Sequence, residues 1–598
     1  MTTTVRPIPD TGIADAEADS FLLKAAHILT EYVASRGDLA APVIQLASPE
    51  ELYSHFDEVK ASLTLDDGEK PATEEQLLAA IRVALEFSTR TSHPLFFNQL
   101  YGGPEPVGIA GEWLAVATNT NAHTYEVAPV FTLAEVEVLA KMARIVGGAY
   151  AGTHDGLFVP GGSIANLYGM HLARNRADTG FKSRGAVGGP RLVAFTSEHA
   201  HYSYLKAATM TGLGSDNLVV VPCDGNGAML PSALEQAILA AKARGGVPFF
   251  VGTTAGTTVL GAFDPLPAIS EICERHGLWH HVDGTWGAAA LLSHTHRSLM
   301  AGCERADSLS WNPHKMMGLP LQCSVFLTQH AGLLKQTNAS GASYLFQPDK
   351  LHAEYDLGDK TIQCGRRPDA FKLWLAWKAY GDAGYEARLD HAMHLAQYLE
   401  TKILEDGNAF LLVHPRSFTN VCFYWVPPCM RPFHLDRATQ SELADMGKVA
   451  PKLKHHMQMN GDAMIGFQPL GSWPNFFRIV FASAWSLTEK DLDALLDQIV
   501  SAQTHAERAL QELAAVRERE QALLQRRVEV FERQFREGIA DLEHRFLLQA
   551  EHLKRELLTK ISETKAECEA TIENKAQQLT SALESVDRCP CATSTSQW

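Results

Sequence analysis

The stretch from Gly147 to Gly318 constrains this 598-residue chain most, because short apolar runs alternate there with helix-patterned or turn-patterned segments. GLFVP, RLVAFTS, NLVVVPC, PFFVGTT, WHHVDG and DSLSWN each read as a buried strand. Strands that are apolar on both faces belong to covered sheets, and helices between them make the connections parallel. The expected fold is therefore α/β, a mostly parallel sheet with helices on both faces. Ligands of such sheets sit at the carboxyl ends of the strands.

The residues at those ends carry the chemistry. WHHVDG closes its strand on Asp283, AFTSEHAHYS puts His199 and His201 just past another, and FFVGTTAGTT ends on hydroxyls and a glycine. A lone histidine in such a turn is ordinarily polar surface, but an ionised aspartate buried without a cation is costly, so Asp283 calls for a positive partner. Gly161-Gly162-Ser163 opens a helix after GLFVP, and free N–H groups at a helix's positive end can hold a phosphate. The same pattern is also that of an ordinary N-cap. SWNPHKMMG, Ser310 to Gly318, sets Lys315 directly after a polar turn, where an apolar core has no use for a cation. Phosphate cradle, imidazole, strand-end carboxylate and turn lysine are the parts that pyridoxal phosphate requires, with Lys315 as its Schiff-base lysine and Asp283 on the pyridinium nitrogen.

FFNQL, TNTN…TYEVAPVF, PGGSIANLYGM, TSEHAHYS, TTAGTTVLGAFDP, HVDGTWG, SWNPHKMMGLPLQCS, ASYLFQPDK, DLGDKTIQCGRRPDAFKLWLAWKAYG and NFFRIVFAS closely resemble the group II pyridoxal-phosphate decarboxylases, over roughly residues 20 to 500. Within that family they look most like the cysteine sulfinate and animal-type glutamate decarboxylases. The resemblance implies a fold type I enzyme, with a large domain built on a mostly parallel seven-stranded sheet and a small C-terminal α+β domain. It also implies roles residue by residue. Lys315 would bind the cofactor covalently, Asp283 would pair its ring nitrogen and His201 would stack on its face, with His199 structural. Gly162, Ser163, Asn312 and His314 would surround the phosphate. Gln99, Leu100 and Tyr101 match the substrate-side loop, and Asn121 lies in a second substrate-side segment. Arg478 matches the arginine that holds the substrate carboxylate, a task suited to a guanidinium fork. Tyr344 matches a mobile-loop tyrosine that returns a proton after carbon dioxide leaves, in the neighbouring subunit's site, so a homodimer is implied.

Two departures from the family pattern stand out. Gly284-Thr285 replaces the usual two alanines, and the second of these positions normally packs on the ring face opposite the histidine. Tyr101 follows FFNQL where glutamate decarboxylases carry a small hydroxyl residue. A bulky ring shortens the pocket, and Ser163 can donate to a sulfinate or carboxylate, so cysteine sulfinate is favoured as substrate, giving hypotaurine. Asn121 instead looks like the glutamate enzyme, His123 fits neither, and one methylene discriminates by only about 1–3 kcal/mol, so glutamate and aspartate stay open.

The rest of the chain frames this core. Residues 1–20 are expected to be disordered, 21–93 to form a helical arm, 94–368 the cofactor-binding domain and 369–500 the small domain. A helix is predicted from Phe21 to Ser35, and Ser48 with Glu51 makes a capping box. A net charge of −17 argues against nucleic acid or anionic membrane as partner. With no apolar leader or spanning run, a cytoplasmic enzyme is expected, its scattered cysteines reduced. Over 501–588, apolar residues from Val528 to Ile561 recur at spacings of 3, 4 and 4, a hendecad pattern that predicts a coiled coil with its own kind or a protein partner. No metal site is read: Cys589 and Cys591 lack a histidine nearby, and 589–598 is expected to be a disordered tail. The competing classes are a scaffold acting through the coiled coil, disfavoured by the complete set of site residues, and another pyridoxal enzyme such as an aminotransferase, disfavoured by YLFQPDK.

Overall fold

The structure, a computed structural model, describes residues 15–65, 70–482, 485–543 and 547–583. Expectations about residues 1–14, and about the tail with Cys589 and Cys591, lie outside these. Contacts divide the chain into two compact units. The first runs to residue 424 and adds 463–466 and 477–492.

The expected sheet is the centre of this first unit. Its strands are β1 (Asp155–Val159), β2 (Leu192–Ser197), β3 (Leu218–Val221), β4 (Val247–Thr254), β5 (Trp279–Asp283), β6 (Ser308–Trp311) and β7 (Ser324–Thr328). They form one seven-stranded sheet in the order β1-β7-β6-β5-β4-β2-β3. β3, β2, β4, β5 and β6 run parallel, whereas β7 is antiparallel to both β6 and β1. The resemblance implied seven mostly parallel strands, but β7 was not among the runs read as strands and its reversal was not anticipated from sequence.

Side-chain alternation explains why helices cover both faces. Leu192, Ala194 and Phe250 join a core with Ala165, Tyr168 and Leu172 of the helix Gly162–Ala177 and with Tyr204 and Ala207 of the helix Ser203–Met210. Their neighbours Val193, Phe195 and Val251 point the other way, against Leu234 and Ile238 of Pro231–Ala243 and Ile269 and Ile272 of Leu266–His276. Full burial of side chains such as Phe195 and Phe250 stabilises the layers by about 1.5–3 kcal/mol each. β3 departs from the buried reading, because it closes the sheet and most of its residues are partly accessible.

The same unit carries the N-terminal helix Asp15–Ala34, which starts before Phe21, and the helix Pro49–Glu58 with the expected capping box, in which Glu51 N donates to Ser48 Oγ and Ser48 N donates to Glu51 Oε2. A second sheet brings remote segments together: Phe96 and Phe97 pair in parallel with Met464 and Ile465, and Asn420–Phe423 pair antiparallel with Phe477–Val480.

The second unit comprises 425–462, 467–476 and the chain from 493 onward. It contains the helix Gln440–Asn460, opened by a Thr439–Glu442 capping box. Cys429 is disulfide-bonded, a correction to the all-reduced reading, while the seven other cysteines among the described residues are free. A helix begins at Glu489 and continues to Glu543, followed by another from Leu547 to Leu583. On them Phe531 and Leu553 of the apolar stripe are exposed. Among the described residues no helix is long and apolar enough to cross a membrane.

Candidate active site

Register places the site. Across three parallel strands Thr254 lies opposite Asp283, and Asp283 opposite Ser310, so the carboxyl ends of β4, β5 and β6 stand in a row. The chain leaves β6 into Asn312-Pro313-His314-Lys315, a turn closed by Lys315 N donating to the Asn312 carbonyl at 2.9 Å. Gly318 ends the stretch at φ +70, and a β-carbon there would lie 1.9 Å from Trp485, so glycine is required twice over.

Asp283 is 3% exposed and fully engaged. Its Oδ2 accepts from Asn166 Nδ2 at 2.8 Å, and its Oδ1 accepts from Thr285 N at 3.1 Å and Ser310 Oγ at 3.4 Å. Burial pushes its carboxyl up, but Lys315, the donors Asn166 and Thr285, and His201 together hold it below the usual carboxylate range. Behind it runs a hydrogen-bonded chain. Trp279 Nε1 donates to Ser308 Oγ, Ser308 Oγ to His281 Nδ1 at 2.8 Å, and His281 Nε2 to Asn166 Oδ1 at 3.0 Å. His281 is fully buried and its pKa falls to about 4 through burial, so it stays neutral and keeps the Nε2–H tautomer that Asn166 needs. Each polar atom of Asn166 is thereby used, its Nδ2 also reaching Ser203 Oγ at 2.9 Å.

Lys315 Nζ donates to Thr285 Oγ1 at 3.1 Å. Burial pulls its amine down from the ordinary lysine value, with Asp283 opposing. His201 is half-buried, its Nδ1 accepts from Ser203 N at 3.2 Å, and burial lowers its pKa against the pull of Asp283, which suits a neutral ring. His314 is buried, donates from Nδ1 to the Cys323 carbonyl at 2.7 Å, and falls to about 4 through burial.

The residues present fit a phosphorylated aromatic cofactor. The helix Gly162–Ala177 has no side-chain cap at Gly161, so its positive end is free for an anion. A β-carbon on Gly162 would lie 2.6 Å from Thr285 Cγ2 and 2.9 Å from Asn312 Nδ2, a cradle that only glycine leaves open. Asn312 is buried and its Oδ1 has no hydrogen-bond partner.

On the substrate side, Arg478 is 8% exposed and donates from Nη1 to the Thr258 carbonyl and from Nη2 to the Asn98 carbonyl, each at 3.0 Å. Its Nε is buried without a partner, and no carboxylate ion-pairs with it among the described residues. Burial lowers its pKa, with Cys422 opposing. The Asn98 contact ties Arg478 to the loop of Gln99, Leu100 and Tyr101, which are exposed, buried and half-buried in turn. Asn121 is engaged elsewhere, its Oδ1 accepting from Arg366 N at 2.8 Å, and the His123 carbonyl accepts from Gly358 N. Tyr344 is 78% exposed and does not join the Lys315 cluster within one chain.

Sequence reasoning passed over Asn166, His281 and Ser310. The signal for Asn166 was available: it stands four residues after Gly162 on the same helix, hence on the face that looks into the cradle.

A lysine and a carboxylate at neighbouring parallel-strand ends, beside an uncapped helix start, define an α/β enzyme of pyridoxal phosphate. The family comparison narrows this class, because the pyridoxal-dependent decarboxylase conserved domain matches residues 57–426. This chain belongs to that family and is a pyridoxal-phosphate-dependent amino acid decarboxylase. Among solved structures, mouse CSAD is 42% identical with a TM-score of 0.77, covering 82% of this chain and 99% of that one. TDC of Oryza sativa, solved with PLP and tryptamine, is 25% identical with a TM-score of 0.72, covering 84% and 99%. Tryptophan decarboxylase of Catharanthus roseus, in complex with L-tryptophan, shares the fold at 23% identity and a TM-score of 0.70, covering 82% and 99%.

Proposed function

We propose that this decarboxylase acts on a short acidic L-amino acid, with cysteine sulfinate favoured and hypotaurine as the product, ahead of aspartate and glutamate. The observation that carries this reading is Arg478: a buried guanidinium whose Nε has no partner and which, among the described residues, pairs with no carboxylate. A buried cation of this kind calls for an anionic ligand. Asn98 links it to the loop where Tyr101 stands, and an aromatic ring there favours the shorter acids. The 42% identity with mouse CSAD leans the same way.

Gly162, Ser163, Asn312 and His314 would hold the cofactor phosphate, Asp283 its ring nitrogen, His201 its face and Lys315 its aldehyde carbon. Once bound, pyridoxal phosphate supplies an electron sink for the carbon–carbon bond that breaks. Asp283, kept ionised by Asn166 and Thr285, would favour a proton on the ring nitrogen of the bound cofactor. Lys315, its pKa lowered by burial, would join the cofactor through Nζ and be released as an amine that can take up a proton when substrate displaces it. Arg478 anchors the substrate's acidic group, so that the α-carboxylate is the one left to leave.

Tyr344 is exposed on its own chain, which agrees with a homodimer in which its hydroxyl returns the proton at the partner's site. The long helices after Glu489 would add self-association through their apolar stripe.

The test is carbon dioxide release from cysteine sulfinate, aspartate and glutamate, compared by kcat/KM; a large preference for glutamate sinks the substrate assignment. Co-expressing Lys315→Ala with Tyr344→Phe tests the shared site. Neither parent should be active, but a random mixture should recover about a quarter of wild-type activity, since half the dimers would hold one intact site of two. No recovery would place Tyr344 in its own subunit's site.

A further inference from the structure

We propose that Thr285 is a positioning residue for Lys315: its hydroxyl is the acceptor that holds the lysine amine whenever Lys315 has no covalent partner. The role rests on the cofactor-binding assignment of Lys315 and goes beyond it, because the residue is one of the two places where this chain leaves its family's pattern.

Three observations fit together at this side chain. First, the hydroxyl is the hydrogen-bond acceptor of Lys315 Nζ, at 3.1 Å. The oxygens of Asp283 are already committed, Oδ2 to Asn166 and Oδ1 to Thr285 N and Ser310, so the hydroxyl supplies an acceptor that an alanine would not. Second, the side chain cannot turn away. Thr285 Cγ2 faces the cradle, so close that a β-carbon on Gly162 would meet it at 2.6 Å. A β-branched side chain is stiff about its first torsion, and with the methyl packed on the cradle the hydroxyl stays on the lysine side. Third, the backbone is pinned on both sides. Thr285 N donates to Asp283, and the next residue, Trp286, is buried with its Nε1 donating to Asn420 Oδ1 at 2.9 Å.

The consequence concerns the released amine. Each turnover frees Lys315 and must recapture it, and a fixed acceptor keeps Nζ near the place where it is needed again. Accepting from an ammonium is stronger than accepting from a neutral amine, so the hydroxyl also favours the protonated form. The ionisable groups acting alongside it are Asp283 at the end of β5, His201 ahead of the helix Ser203–Met210, and His314 on the lysine's own turn. Varying position 285 leaves His201 and His314 in place, and Asp283 keeps its bonds from Asn166, Ser310 and the backbone N–H of residue 285.

The experiment uses the full chain freed of cofactor, so it does not depend on the substrate assignment. Acetylation of Lys315 by acetic anhydride is followed by mass spectrometry against pH in wild type, Thr285→Val and Thr285→Ser. Loss of one hydrogen bond to a charged donor should raise the lysine's acid constant by about threefold to tenfold, moving the Thr285→Val profile about half to one pH unit lower. Thr285→Ser, which keeps the hydroxyl, should follow wild type. Near-ultraviolet circular dichroism checks folding, and Thr285→Ala carries the same expectation should the valine variant not fold. Coincident profiles for valine and wild type, or a serine profile displaced as far as valine's, would overturn the proposal. Failure of cofactor binding itself would show separately, as no lysine-linked absorbance in wild type on adding pyridoxal phosphate.

Discussion

Replacing Asn166 with alanine tests the idea that the strand-end carboxylate is held ionised by a built network. The amide makes four hydrogen bonds: it donates to Asp283 and Ser203 and accepts from His281 and Ser310. The bond to Asp283, at 2.8 Å, is to a charged acceptor and should contribute about 1.5–3 kcal/mol. The loss is equivalent to raising the Asp283 pKa by about one to two units. The sign follows from linkage. Asp283 has a native pKa held below its usual value, so its contribution is complete above the unfolded value near 3.9 and is lost as pH falls through the native one. At pH 7 the whole effect is therefore visible. Adding the stranded N–H of His281 gives an expected loss of about 2–4 kcal/mol. Ser310→Ala removes only the longer contacts, 3.2 Å to Asn166 and 3.4 Å to Asp283, and should cost about 1 kcal/mol or less. Equilibrium urea unfolding of cofactor-free protein at pH 7, followed by tryptophan fluorescence, reads both, and cofactor affinity in Asn166→Ala should fall at least about tenfold. Equal losses in the two variants, or a loss under about 1 kcal/mol in Asn166→Ala, would refute the reasoning.

Elsewhere the same physics makes separate forecasts. Arg366 pairs with Glu135 with side chains 2% and 1% exposed, so Glu135→Ala should destabilise by about 3–5 kcal/mol in the same assay, and Glu135→Gln by less. Arg478→Lys keeps the charge but loses the fork, and should raise KM for the preferred acidic substrate at least about tenfold with a smaller change in kcat. Burial lowers His280, His281 and His314 to about 4. The unfolded chain takes up their protons near pH 6.5 while the native one refuses them until about 4, so stability should fall across that window and not above it; a flat urea midpoint from pH 7 to 5 would contradict this.

The large sheet could be read from sequence because its strands are apolar on both faces, which leaves parallel connections as the natural arrangement. What escaped was the reversal at β7. SVFLT is as apolar as its neighbours, and direction is set by the length of the connection from β6, a loop carrying the lysine turn rather than a helix. In the second sheet VCFYWV and NFFRIVFAS read as strands, but how they pair was beyond reach for another reason. Its pairings join Phe96 to Met464 and Asn420 to Val480, and local pattern carries no information about which distant strand completes a ladder.

Within the site, the legible residues were those whose type was odd for their place: an acid ending an apolar strand, a lysine after a buried turn. Their supports were silent because a buried Asn, Ser or His satisfied by neighbours leaves no anomaly in one dimension. Asn166 sits mid-helix among apolar residues, and only the register that sets Asp283 beside Ser310 reveals that its amide faces both. The same asymmetry explains Thr285. Its sequence signal was a missing alanine, which pointed to the ring face and to a hydroxyl that could tilt the ring or add a hydrogen bond there. The structure adds that the methyl fills the cradle while the hydroxyl meets Lys315, so one substitution acts on two partners at once. Changes at 162 and 285 should therefore be non-additive, since a Gly162→Ala methyl collides with Thr285 in the wild type and loses that collision, though not the one with Asn312, once residue 285 is alanine.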